Sequence, residues 1–143
     1  MKEQVLITIN GVQVTEDEAQ SVPELITVGT YRLEDGVHQV TYEEQLGDTD
    51  EVTISRLYFV NDRVELKREG GIETHMVFEK DKKSLTFYET PYGSVEMEMT
   101  SHEVNVCTEA ENIDIHLEYD IAMNEQFVGE CSLNIHIQKA NNA

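Results

Sequence analysis

Cysteine, positive charge and long apolar runs are all scarce in this chain, and each scarcity excludes a class of protein. Cys107 and Cys131 are the only two cysteines in 143 residues, and they form neither a C-x-x-C redox motif nor a zinc-site spacing. We expect both to be reduced, partly buried thiols, because cytosolic proteins rarely hold disulfides. No apolar run approaches the roughly 18 residues that a membrane-spanning helix needs.

The first residues of the chain do not resemble a signal peptide. Residues 1–4 lead into an alternating pattern that Thr8 and Asn10 interrupt, whereas a signal peptide has an unbroken apolar core. The sequence therefore predicts a cytoplasmic protein with no membrane partner.

Acidic residues outnumber basic ones by 29 to 10, which gives a formal net charge of -19. A phosphate backbone would be repelled across most of such a surface, so nucleic acid is not an expected partner. The chain has no G-x-S-x-G motif, no P-loop and no dinucleotide fingerprint, so we expect no cofactor and assign no catalytic residue. Carboxylates are so abundant that no particular pair of them indicates catalysis.

Apolar and polar residues alternate with a period of two along almost the whole chain, and helical periodicity is almost absent. The pattern predicts an all-β protein of eight to ten antiparallel strands joined mainly by short turns. A meander of this kind exposes two sheet edges unless it closes on itself. We therefore predict a single closed or nearly closed up-and-down β-barrel over residues 1–143.

Turn residues predict the register of successive hairpins. Residues 34–36, 69–71 and 91–93 each end in glycine and indicate three-residue loops, 124–126 a further three-residue loop, and 61–62 a two-residue turn. Shifts in the alternation near Gly11 and His102 predict β-bulges. The resulting pairs are Leu33 with Val37, Leu57 with Leu66, Arg68 with Ile72, Phe78 with Leu85, Phe87 with Met97, and Tyr119 with Cys131.

The central stretch carries a family resemblance. Residues 70–78 read G-x-x-x-T-x-M-x-F, residues 88–93 read Y-x-T-P-Y-G, and residues 95–99 read V-x-M-x-M. This combination resembles the YwiB-like family of small bacterial proteins, a domain of unknown function. The resemblance implies a calycin-like, lipocalin-type β-barrel and implies no activity or catalytic residue.

Polar residues that the predicted register turns inward indicate a ligand site at one end of the barrel. Arg68 is the candidate for an anionic head group, and the apolar interior would take a tail or ring. In the alternative interpretation, Arg68 pairs with Glu89 to close the barrel end, or reaches solvent. The candidate ligand-binding residues are Arg68, Thr74, Met76, Phe87, Glu89, Tyr92 and Met97.

Histidines do not indicate a metal site. None of the five has H-x-H or H-x-x-x-H spacing, and His136 opposite Asp114 on the outer face is expected to be a surface contact.

Three functional hypotheses remain from the sequence. The first is a non-catalytic barrel that binds a small, partly apolar ligand. The second is a barrel filled by its own side chains that binds another protein through Val52, Ile54 or Tyr58. The third is an enzyme with an unrecognised site. The oligomeric state is left open.

Overall fold

The computed structural model describes residues 3–14, 19–45, 52–70, 74–90 and 93–139, with backbone alone for residues 13, 19–23, 45 and 87–90. Ten β-strands and no helix occur in these ranges, so none of the described residues forms a helix able to cross a membrane. The strands are β1 (Glu3–Val14), β2 (Ala19–Glu34), β3 (Val37–Gln45), β4 (Val52–Val60), β5 (Arg63–Gly70), β6 (Thr74–Glu79), β7 (Lys83–Thr90), β8 (Gly93–Thr108), β9 (Asn112–Met123) and β10 (Gln126–Lys139).

All ten strands belong to one antiparallel sheet in the order β6-β5-β4-β3-β2-β1-β10-β9-β8-β7. The first strand pairs with the last, and the two sheet edges, β6 and β7, are consecutive in the chain and lie against each other. No ladder joins β6 to β7 in the described ranges, so the barrel is nearly closed, with a seam at this one place. The predicted all-β, nearly closed barrel is confirmed.

The hydrophobic core lies inside the barrel because apolar side chains alternate toward it along each strand. On β9 the buried residues are Ile113, Ile115, Leu117 and Tyr119, with polar residues between them. The Phe78 ring packs against the Tyr119 ring across the interior, with centroids 5.0 Å apart. Burying each such side chain stabilises the fold by about 1.5 to 3 kcal/mol.

Several registers predicted from the sequence are confirmed. Phe59 pairs with Val64 and Leu57 with Leu66 across the 61–62 turn. Register shifts occur between Ile9 and Gly11 and between Ser101 and Glu103, where the bulges were expected.

The last hairpin has the predicted register but reaches it differently. Tyr119 pairs with Cys131, as predicted. However, the turn contains two residues, Asn124 and Glu125, and the odd residue is taken up by a bulge between Phe127 and Gly129. A two-residue turn plus one bulge keeps the same inward face as a three-residue loop.

The prediction for the β2–β3 hairpin is wrong by one residue. Glu34 pairs with Val37, so Leu33 does not, and the turn is the two-residue Asp35-Gly36, with φ of 53° and 81°. Positive φ at both turn positions gives the turn a twist that matches the right-handed twist of the paired strands. A type I turn would splay these strands apart. This register places Gly29 opposite Tyr42.

The prediction for the β5–β6 hairpin is wrong by two residues. Arg68 pairs with Thr74, not with Ile72, because β5 continues to Gly70 and pairs there with Thr53. An even shift leaves every side chain on its predicted face.

The predicted inward face of β7 is wrong. Thr90 pairs with Gly93, which makes a two-residue connection, and Thr86 instead of Phe87 lies opposite Met97. Thr86 is buried, and Leu85 is 55% exposed. The predicted pairing of Phe78 with Leu85 is absent from the described ladders, because β6 and β7 are the edges at the seam. Apolar alternation specifies the face weakly on such a short edge strand, and the turn length decides it.

Two glycines with nearly equal φ provide a matched test of the β4–β5 pairing. Gly70 has φ of 113° and Gly93 has φ of 116°, so alanine is strained at either position. A Cβ at Gly70 would lie 2.4 Å from the Val52 carbonyl oxygen, whereas a Cβ at Gly93 meets nothing within 4 Å. We expect Gly70→Ala to lower the free energy of unfolding by at least about 1 to 2 kcal/mol more than Gly93→Ala, measured by urea denaturation. Equal losses would contradict the close approach of β5 to β4.

Candidate ligand-binding site inside the barrel

The barrel interior contains a cavity of about 470 Å³. This volume lies within the range of small-molecule pockets. Most of its wall is apolar, contributed by strands on both sides of the barrel, including Ile9, Leu25, Leu57, Leu66, Met76 and Ile121.

A row of four inward positions crosses strands β3 to β6 at one level of the barrel. Tyr42 pairs with Ser55, Ser55 with Arg68, and Arg68 with Thr74, so the four residues lie side by side. We call them the polar row. Tyr42 and Arg68 line the cavity, and Ser55 and Thr74 are buried. The row therefore adds polar groups to a largely apolar chamber whose wall also includes Glu24 and Glu44.

Arg68 forms an ion pair with Glu44, which follows Tyr42 by two residues on the same face of β3. The Arg68 Nε and Glu44 Oε2 atoms are 4.0 Å apart, and the two side chains are 27% and 4% exposed. This separation allows charge attraction but is too long for a hydrogen bond. Arg68 Nε is buried without a hydrogen-bond partner among the described residues.

The hydroxyls on either side of Arg68 are unsatisfied as well. Ser55 Oγ and Thr74 Oγ1 are buried without hydrogen-bond partners in the described part of the chain. A buried polar group without a partner costs about 1 to 3 kcal/mol, and native proteins contain few of them. Three adjacent unsatisfied groups can all be satisfied by one polar group that enters the cavity and touches Ser55, Arg68 and Thr74.

The two tyrosines on the cavity wall are neutral at pH 7. Burial, and then the negative charge of Glu44, raises the pKa of Tyr42 to about 12, and the positive charge of Arg68 opposes this shift. The neighbouring Ser55 hydroxyl also lowers the Tyr42 pKa. Burial, followed by the neighbouring Cys131, raises the pKa of Tyr119. Both phenols therefore keep their O–H donors.

The two cysteines differ in exposure, and neither forms a disulfide. Cys131 is half-buried on the cavity wall, and burial is the main cause that raises its thiol pKa. A thiol in such surroundings is a weak nucleophile. Cys107 is exposed, so the expectation that both thiols are partly buried is wrong for this residue.

The opposite end of the barrel is filled by side chains. The Tyr31 hydroxyl and His38 Nδ1 are hydrogen-bonded at 2.7 Å, and the His38 ring stacks on Phe59 with centroids 4.8 Å apart. Burial lowers the pKa of His38, which favours the neutral imidazole.

The residues predicted as ligand-binding do not all meet at one place. Arg68 and Met76 line the cavity, and Thr74 stands beside Arg68 in the polar row. Met97 is buried in the core opposite Thr86. In the backbone, Phe87 pairs with Glu96 and Glu89 with Ser94, while their side chains and the whole of Tyr92 lie outside the described residues.

Sequence reasoning missed the partner that the structure gives to Arg68. That partner is Glu44 on β3, whereas the alternative interpretation paired Arg68 with Glu89, whose side chain lies outside the described residues. The signal was present, since Val40, Tyr42 and Glu44 alternate along one strand. The incorrect register of the β2–β3 hairpin left the inward face of β3 undecided.

Fold and cavity together define the class of protein, a nearly closed ten-stranded antiparallel β-barrel with an interior chamber. The structure is similar to the crystal structure of the YwiB protein from Bacillus subtilis, with a TM-score of 0.84 and 14% identity, over 98% of this chain and 94% of that chain. Residues 7–135 match the family model described as Domain of unknown function (DUF1934), and the chain belongs to this family. The resemblance to the YwiB-like family is thus confirmed. A comparison with curated proteins found no match.

The raised pKa of Tyr42 predicts a loss of stability at alkaline pH. Because the folded pKa of about 12 exceeds the unfolded value of 10.0, the stabilisation is complete below pH 10 and is lost as pH rises toward 12. We expect the free energy of unfolding to fall by about 2 to 3 kcal/mol less in Tyr42→Phe than in the wild type as pH rises through this range, measured by unfolding the two proteins at several pH values. The control is Tyr58→Phe on the outer face, which removes a phenol that is only half-buried. An unchanged profile in Tyr42→Phe would contradict the burial of the Tyr42 hydroxyl beside Glu44.

Proposed function

We propose that this protein is a non-catalytic, calycin-like β-barrel of the cytoplasm that binds a small amphiphilic ligand with an anionic head group. The observation that carries the proposal is the buried Nε of Arg68, flanked by the hydroxyls of Ser55 and Thr74, none of which has a hydrogen-bond partner within the described part of the barrel. Hydrogen bonds between an arginine and an anion contribute more free energy than hydrogen bonds between neutral groups. A head group at this place would therefore offset the cost of burying these polar groups without partners.

The rest of the cavity suits an apolar tail. Leu57, Leu66 and Met76 continue from the polar row into the chamber, and Phe78 and Ile121 line it further. Transfer of apolar surface from water into this wall would supply most of the affinity. A methionine in the wall also adapts to ligands of different shape.

Glu44 limits the charge that the head group can carry. Its buried carboxylate lies 4.0 Å from Arg68 Nε, so the pair as a whole is close to neutral. A dianion such as a phosphate monoester would be repelled by Glu44, and by the net charge of -19 on the way in. A single carboxylate that contacts Arg68, Ser55 and Thr74 meets less repulsion. We therefore assign the ligand class as monocarboxylate amphiphiles.

Two titratable groups on the cavity wall, Cys131 and Tyr119, do not supply catalytic chemistry at pH 7. The thiol of Cys131 and the phenol of Tyr119 both have raised pKa values and remain protonated at pH 7. Neither provides a nucleophile or a general base at that pH.

Protein binding is a second candidate function, favoured by an apolar surface outside the barrel. Leu6, Ile26 and Val28 are exposed on the outer face of β1 and β2, where Leu6 pairs with Val28. Of the outer positions singled out in the sequence, Val52 is exposed and Tyr58 is half-buried, with Lys67 Nζ 6.0 Å from the centre of its ring. The cavity of about 470 Å³ supports the ligand hypothesis over a barrel filled by its own side chains.

The ligand proposal is tested by titrating decanoate into the wild-type chain, Arg68→Met and Arg56→Met with isothermal titration calorimetry. Arg56 is the matched control, because it lies on the outer face of β4 and pairs with Glu69. We expect Arg68→Met to weaken binding by about 10- to 100-fold, the equivalent of one charged hydrogen-bonded contact, and Arg56→Met to leave it unchanged. Equal affinity of all three proteins would overturn the assignment of Arg68, and no binding to the wild type would overturn the ligand class.

Loss of folding must be separated from loss of the site, because Arg68→Met leaves the Glu44 carboxylate buried and unpaired. The double variant Glu44→Gln/Arg68→Met removes that charge and should recover most of the stability that the single variant loses. It should still fail to bind decanoate, since the guanidinium is absent. Recovery of decanoate binding together with stability would show that Arg68 has a structural role only.

A further inference from the structure

We propose that Glu103, His116 and Glu118 form a binding site for a divalent transition-metal ion, with Zn²⁺ the best-matched cation, on the outer face of β8 and β9. One ligand atom from each of the three residues lies within 4.8 Å of the other two. The site is outside the barrel and independent of the cavity. Sequence reasoning predicted no metal site, because neither the histidine spacings nor the cross-strand pair of His136 and Asp114 indicated enough ligands for one.

The distances within this group are compatible with shared coordination of one ion. His116 Nε2 is 3.3 Å from Glu118 Oε2 and 3.9 Å from Glu103 Oε2. Hydrogen bonds between nitrogen and oxygen are usually shorter, about 2.7 to 3.2 Å. Two ligands on a tetrahedral zinc ion with bonds of about 2.0 to 2.1 Å are about 3.3 to 3.4 Å apart. Glu118 already has this separation from His116, and a small side-chain rotation brings Glu103 to it.

A β-bulge places the second carboxylate in the group. Ser101 pairs with Tyr119 on the inner face, and the register then shifts so that Glu103 pairs with Glu118 on the outer face. Regular alternation would have put Glu103 inside with Ser101. Bulges commonly re-aim a side chain toward a functional site. This one sets two carboxylates directly opposite each other, an arrangement that is unfavourable without a nearby positive charge.

No lysine or arginine in the described ranges supplies that charge. The ion-pair partner that the structure shows for both Glu103 and Glu118 is the imidazole of His116. An ion bound between them would neutralise both carboxylates in a chain whose net charge is -19.

Two asparagines hold the ligand side chains in place. Asn134 Oδ1 lies 2.6 Å from His116 Nδ1 and, as an amide oxygen, can only accept, so Nδ1 carries a proton, and Nε2 is the atom that would give up its proton to bind the ion. Asn105 Nδ2 donates to Glu103 Oε1 and leaves Oε2 free to face Nε2. Supporting hydrogen bonds of this kind orient the ligands in metal sites.

A groove next to the group provides room for further coordination. It has a volume of about 400 Å³ and is lined in part by Glu103, Glu118, His102 and Asp120. His102 Nε2 is already bonded to Asp120 Oδ2 at 2.8 Å, so we do not count either as a ligand. Water in the groove would complete the coordination of the ion. One imidazole and two carboxylates suit borderline cations, among which Zn²⁺ binds more tightly than Mn²⁺.

The outer face of the same sheet offers a matched control. His136 contacts Asp114 through Nδ1, on the neighbouring strand pair, and the structure shows no second carboxylate partner for it in the described ranges. A lone imidazole and carboxylate give too few ligands for a tight site. His136→Gln therefore removes a histidine from the same face without touching the proposed site.

The test is calorimetric titration of ZnCl₂ into the tag-free chain, with Mg²⁺ as a second cation. We expect one Zn²⁺ per chain and no comparable uptake of Mg²⁺. His116→Gln and Glu103→Gln should each weaken Zn²⁺ binding by at least about tenfold, and His136→Gln should not. Glu103→Gln keeps the test decisive if His116→Gln proves to be unfolded by circular dichroism.

Asn134→Ala tests the positioning role of the amide. It should weaken Zn²⁺ binding by about tenfold or more while the urea midpoint of the metal-free protein stays close to the wild-type value. The proposal is overturned if the wild type takes up no Zn²⁺. It is also overturned if His116→Gln and Glu103→Gln bind Zn²⁺ with wild-type affinity and stoichiometry, or if His136→Gln weakens Zn²⁺ binding as much as they do.

Discussion

The pairing of the first strand with the last is the constraint on which this barrel depends. Because β1 lies between β2 and β10, both ends of the described chain are held in the middle of the sheet. The two unpaired edges are left to β6 and β7, which adjoin each other in sequence and in space. Edge strands are otherwise ready to pair with other chains, and here the curvature of the sheet brings them together.

Turn length then decides which polar residues face the interior. The β4–β5 and β5–β6 registers align Ser55, Arg68 and Thr74, and the β3–β4 register adds Tyr42 to the same level. Glu44 enters the interior because it follows Tyr42 by two residues. The polar row is thus a consequence of hairpin geometry on four consecutive strands. An odd shift in any one of them would turn its member of the row toward solvent.

Charge is arranged differently inside and outside the barrel. Inside, Arg68 and Glu44 are close enough to attract each other, and the Arg68 Nε has no hydrogen-bond partner among the residues that the structure describes, so this pair combines near neutrality with an available donor. Outside, acidic groups predominate, and the bulge at Ser101 and Glu103 concentrates two carboxylates around one imidazole. The first arrangement suits a singly charged organic anion and the second suits a cation.

The sequence alone was enough to predict the all-β class and the nearly closed barrel. It also predicted the bulges near Gly11 and His102 and the registers of the β4–β5 and β9–β10 hairpins, because period-two alternation and turn residues act locally. It also identified Arg68 as the cationic group of the interior. The tertiary structure was needed to show that Asp35-Gly36 makes a two-residue turn, that Thr86 is buried opposite Met97, and that Glu44 forms an ion pair with Arg68. Those outcomes depend on strand pairs that meet across the sheet, and a change of one residue in a turn reverses a whole face while leaving the local pattern unaltered.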